Sequence, residues 1–178
     1  MKCGQARRQI KAEATKYGRE KGVGHVTAMD NTDPIDDLLA RAHEIRGKGF
    51  NCAETVLWAL GEYWNMGVQV SYGTGLGGGV ARLGETCGAL TGAILALGAR
   101  VGRTDPGDNE KKVLCYRLGQ GVAREFREAM GTTQCKDIIG LVPAGEGIQA
   151  RWTQAYRTGG CGKAIEVAIR AGIRAAGE

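Results

Sequence analysis

Residues 73–94 read GTGLGGGVARLGETCGALTGAI, and the interpretation of this stretch decides the fold. Gly73, Gly75 and Gly78 fit the G-x-G-x-x-G pattern, with VQVSY just before and a helix-like run just after. A dinucleotide fold would also need several alternating strands and helices, and VQVSY is the one segment of the chain with strand character. No lysine follows in the manner of a phosphate loop. The glycines therefore read as places where the backbone turns sharply and passes close to a neighbouring helix. The second half then becomes a helix that begins at a thiol, Cys87, after a capping-type Thr86. Small residues continue it where a core would normally carry leucines.

Working outward, the other segments read as helices too. TDPIDDLLARAHEIRGKG has a Thr-Asp-Pro start, two acids in its first turn and Gly47 at its end. NCAETVLWALGEYW opens with Asn51 as a cap and Glu54 three residues on, a capping-box arrangement. DPGDNEKKVLCYRLGQGVAREFREAM carries Leu114, Leu118, Val122 and Phe126 at every fourth position. TTQCKDIIG is a short helix and GGCGKAIEVAIRAGIRAAG the last. The expectation is an all-α, single-domain helical bundle over residues 32–178, preceded by a basic, glycine-punctuated arm over residues 1–31.

Composition narrows the function classes. With 178 residues the chain is long enough for one sizeable core. No apolar run approaches a membrane span, and the charged start has no apolar stretch behind it, so a soluble, cytoplasmic protein is expected. The net charge of +5 gathers in the arm and on helical faces, and only 6% of residues are aromatic, which argues against nucleic acid as a partner. The arm instead suggests pairing of two copies, a homodimer. His25 and His43 have no acid or nucleophile at a suggestive spacing, so hydrolytic catalysis has no support and no catalytic residue is assigned. An electron carrier is favoured over a substrate-converting enzyme.

Six cysteines are many for a reducing compartment. Cys115, in mid-helix, reads as a small core residue. Cys52, Cys87, Cys135 and Cys161 instead all stand at or near helix N-termini. Unpaired N–H groups and the positive end of the helix dipole favour a thiolate there, the form that ligates metals and attacks electrophiles.

The order FNCAETVLWAL, GLGGGVARLGETCGALTGAILALG, TTQCKDIIG and the late Cys161 resembles the family of redox-active proteins named for its C, GCAxxG, C, C cysteine pattern. The resemblance runs from about Arg41 to the end and matches Cys52, Cys87, Cys135 and Cys161 to the four family cysteines, leaving Cys3 and Cys115 aside. The related domain resembles the iron–sulfur part of split-Soret cytochromes, but the C-x-x-C-H motif of covalent haem does not occur in this chain.

Three readings of the four thiols compete. A [2Fe–2S] cluster takes four cysteines, and its negative charge would be stabilised by helix N-termini. A structural zinc takes four thiolates too, but its sites usually bring them as close C-x-x-C pairs, which this chain lacks. Two redox-active dithiols, as in a thiol–disulfide oxidoreductase or redox sensor, would need no metal. The cluster, serving one-electron transfer or storage, is the preferred expectation. Cys52, Cys87, Cys135 and Cys161 are then its ligands, and Gly88 leaves room beside them. Glu54, Arg82 and Glu85 are candidates for supporting contacts.

Overall fold

The computed structural model describes residues 33–140, 154 and 160–177. Their regular structure is helical: α1 Pro34–Gly47, α2 Cys52–Tyr63, a 3-10 segment Val70–Leu76, α3 Gly88–Val101, α4 Asn109–Met130, α5 Cys135–Ile139 and α6 Cys161–Ala175. The fold is all-α. The basic arm lies outside the described residues, and so do Cys3 and His25.

Local signals place the helix ends. The Asp33 carboxylate accepts from the Ile35 amide, Pro34 occupies the first turn where its missing N–H is harmless, and Asp36 and Asp37 face the positive end of α1. Asn51 accepts from the amides of Ala53 and Glu54, and the Glu54 carboxylate returns the bond to the Asn51 amide at 2.8 Å, closing a capping box. Asp108 caps α4 through the Lys111 amide, and Gly131 ends it in the left-handed conformation.

Helices α2, α3, α4 and α6 form the body, with α3 and α6 at its centre and α1 laid across α2 and α6. The closest pairing, α2 on α3, depends on absent side chains. A Cβ on Gly92 would stand 2.6 Å from the Ala53 carbonyl oxygen and 2.9 Å from its Cα. No larger residue fits without separating the helices. On α6, Ala164, Ala168 and Ala171 alternate with Ile165, Ile169 and Ile173, all buried, so the helix can meet neighbours on several sides. Val122 and Phe126 of α4 are fully buried. Leu114, Leu118 and Cys115 are only partly so, and the reading of Cys115 as a core residue is corrected to half-buried.

VQVSY is not a strand. From Val70 the chain winds into the 3-10 segment because it has no strand edge to pair with, and Gly73 lies against the α2 backbone, where its Cβ would be 2.9 Å from the Glu54 amide nitrogen. The glycine-rich loop thus packs on a helix and forms no dinucleotide site. Beyond it Gly78, Gly79, Val80, Ala81 and Arg82 all have φ between 50° and 68°, a continuous left-handed turn. For each of the three non-glycine residues this conformation costs about 1–2 kcal/mol. Hydrogen bonds from Ala81 N–H to Gly75 O, Arg82 N–H to Gly77 O and Glu85 N–H to Gly79 O, at 2.8–3.0 Å, hold the turn closed.

Candidate redox site: four cysteines at four helix starts

Cys52, Cys135 and Cys161 are the first residues of α2, α5 and α6, and Cys87 is the N-cap of α3. All four are buried, at 3%, 3%, 4% and 3% exposure for Cys52, Cys87, Cys135 and Cys161. Thr86 does not cap α3 as its type suggested. It is extended and forms a one-residue antiparallel bridge with Gln134. The reason lies in the backbone: the Cys87 amide donates to Thr133 O at 2.8 Å, and the Cys135 amide to Glu85 O at 2.7 Å. The Lys136 amide donates to Gly84 O, so the end of the left-handed turn satisfies two orphan N–H groups of α5.

The thiols meet as two pairs. Cys87 and Cys135 are hydrogen-bonded to each other, and so are Cys52 and Cys161. The pairs also feel one another's charge, Cys161 acting on Cys87 and Cys135, and Cys87 on Cys52. Each pair is split in acidity. The hydrogen bond from Cys135 and the first-turn amides of Ala89 and Leu90 bring Cys87 below the ordinary thiol value, against the opposing effect of burial. Cys135, the donor of that bond, is pushed far up, and burial adds to the rise. In the other pair the bond from Cys52 and the Arg46 guanidinium bring Cys161 down to about 7. Cys52 is raised by that same bond, by burial and by the charge on Cys161.

Among the described residues no three or more His, Cys, Asp or Glu side chains gather closely enough to hold a single metal ion. The hydrogen bonds group the four cysteines two and two, a grouping that chain spacing could not foretell.

Glycines clear the space around the set. A Cβ on Gly79 would stand 2.6 Å from the Cys135 Cβ and 2.6 Å from Glu85 O. On Gly88 it would stand 2.9 Å from Leu76 O and 3.5 Å from the Cys52 Cβ, which puts Gly88 against the end of the 3-10 segment and the start of α2. Of the supporting residues, Glu54 is 8% exposed and fixes the start of α2, accepting from the Thr74 hydroxyl at 2.5 Å and from the Asn51 amide. Glu85 acts through its carbonyl, and Arg82 through its left-handed backbone. Sequence reasoning missed Arg46 and Thr74. Arg46 looks like an ordinary basic residue in a last helical turn, and its role appears only when the end of α1 is seen beside the start of α6.

The sequence profile of the family described as "Putative redox-active protein (C_GCAxxG_C_C)" matches residues 50–172. The chain belongs to this family. The matched span takes in all four buried cysteines. No curated protein and no solved structure gives a significant match. Among the described residues no helix is long and apolar enough to cross a membrane.

Proposed function

We propose that the protein is a one-electron carrier or store whose centre is a [2Fe–2S] cluster held by Cys52, Cys87, Cys135 and Cys161. The observation that carries this reading is the burial of four cysteines, each at a helix start, as two pairs. A single tetrahedral zinc would need all four sulfurs about 3.8 Å apart, the edge that a Zn–S length of about 2.3 Å implies. A two-iron cluster asks for two thiolates at each iron, which is the division seen here. The donor chemistry fits as well: four sulfurs, with helix N-termini to offset negative charge. When bound, such a cluster takes up and releases one electron at a time.

The chain's own residues supply the rest. The Thr86–Gln134 bridge fixes one pair, the Asn51–Glu54 capping box anchors the helix of Cys52, and the glycines keep side chains out of the centre. Iron, acid-labile sulfide and zinc analysis of anaerobically purified protein, with its visible spectrum, tests the reading. Iron and sulfide in equal amounts support it, and zinc alone or no metal refutes it.

The split acidity within each pair favours a second reading, a metal-free thiol–disulfide protein with Cys87 and Cys161 as nucleophiles. Burial weighs against it, because exchange with a protein disulfide requires an accessible attacking sulfur. A cytoplasmic location accords with both readings, since reducing conditions keep thiols available. Pairing of two chains through residues 1–31 is also proposed. Light scattering of the full chain and of a chain lacking those residues tests it, and a monomer in both cases refutes it.

A further inference from the structure

Helix α1 lies antiparallel along α6, and three contacts register the two. Asp36 pairs with Arg170 at 2.5 Å, His43 Nε2 meets Glu166 Oε1 at 2.8 Å, and Arg46 hydrogen-bonds the Cys161 thiol. Residue numbers rise along α1 as they fall along α6, so the first two contacts set the third. Where they meet, Gly162 lies beside the His43 ring, whose Cε1 would be in ordinary contact, 3.6 Å, with a Cβ there. Arg46, in the last turn of α1 and half-buried, is brought to the Cys52–Cys161 half of the centre.

We propose that Arg46 is a positioning residue that sets the reduction potential of the four-cysteine centre by holding a permanent positive charge against its Cys52–Cys161 half. The inference rests on the redox reading of these cysteines, and its sign is the same for a cluster and for a dithiol. One electron from an external donor adds one negative charge to a cluster. In the metal-free form two electrons and one proton cleave an S–S bond and leave one thiol and one thiolate. Reduction adds negative charge beside Arg46 in both cases. A guanidinium does not lose its proton at working pH, so it favours the reduced state throughout.

The test is the reduction potential of the full chain in wild type, Arg46→Gln, Arg46→Lys and Arg170→Gln. It is read by dithionite titration of the visible spectrum if iron is present, and by thiol trapping in dithiothreitol redox buffers if it is not. Arg46→Gln is expected to lower the equilibrium constant for reduction at least about tenfold, which is about 59 mV for a one-electron couple and about 30 mV for a two-electron couple. Arg46→Lys should restore most of the loss. Arg170→Gln, which loosens α1 but keeps the charge at the centre, should change the constant less than about threefold. Should Arg46→Gln fail to fold by circular dichroism, Arg46→Met replaces it. An unmoved potential in the charge-removing variant, or an equal shift in Arg170→Gln, overturns the proposal while leaving the redox reading intact. A wild-type chain with no redox couple removes that reading and the inference with it.

Discussion

Thr86 and Gln134 pair as an isolated antiparallel bridge, and this one contact brings Cys87 and Cys135 together although 48 positions separate them. Each cysteine follows its bridging residue and donates its amide across the gap, to Thr133 O and Glu85 O. The pair is fixed by backbone, whereas Cys52 and Cys161 are brought together by the packing of α1, α2 and α6.

The proposed ligand set can be tested one residue at a time. Alanine at Cys52, Cys87, Cys135 or Cys161 is expected to abolish most bound iron, because each removes one sulfur of a two-plus-two set. Cys115→Ala, whose thiol is half-buried on α4 outside the set, should retain it. Iron per chain measures the outcome, and unchanged iron in Cys87→Ala would remove the assignment.

The left-handed turn behind Cys135 yields a second prediction. Gly79 has φ +68°, and its Cβ would collide with Cys135 and with the backbone of Glu85. Gly79→Ala should therefore displace α5, lower the thermal midpoint and reduce iron retention, at a cost of about 1–3 kcal/mol. Gly98→Ala is the control: it lies within α3, nothing stands within 4 Å of its Cβ, and it should stabilise by about 0.5–1 kcal/mol. Thermal unfolding of the two variants reads both effects.

Small residues after Cys87 serve two ends. Gly92 permits the close α2–α3 approach, so Gly92→Ala should cost about 1–3 kcal/mol of stability. Gly88 faces the Leu76 carbonyl and the Cys52 side chain, so Gly88→Val should disturb the centre itself, seen as lost iron or an altered potential. Gly98, with nothing within 4 Å of its Cβ, is the comparison here too.

Thiol acidity gives a pH-dependent outcome. In metal-free protein Cys161 carries the readily formed thiolate, its acidity increased by the bond from Cys52 and by Arg46. A thiol with a lowered value gains reactivity as pH rises and keeps it above that value. The ultraviolet thiolate absorbance of metal-free protein, which needs no reagent to enter the buried site, should thus rise through about pH 7, and Cys161→Ser should remove that step whereas Cys115→Ser should not. A step near pH 7 that survives in Cys161→Ser would contradict the assignment.

Much of the fold could be read from the chain because helix ends are local chemistry. The Asp33-Pro34 start, the Asn51–Glu54 box and the fourfold spacing towards Phe126 each act within one or two turns. Candidate cysteines were legible for the same reason, since each stands at such an end. Their pairing was not, because it depends on a bridge between Thr86 and Gln134 and on where α1 ends relative to α6. Thr86 looked like a cap and became half of that bridge, as the residue type suits both roles. VQVSY looked like a strand by composition, but strand character needs a partner edge, and the neighbouring glycines draw the chain onto α2 instead.

The most direct measurement of the central claim is the number of electrons each chain accepts in an anaerobic reductive titration followed by visible absorbance. One electron per chain, with bleaching of an iron–sulfur band and a potential that follows a one-electron slope of about 59 mV per decade, is the predicted result. Uptake of two or four electrons without visible absorbance, on a slope of about 30 mV per decade, would assign the four cysteines to disulfide chemistry and contradict the account.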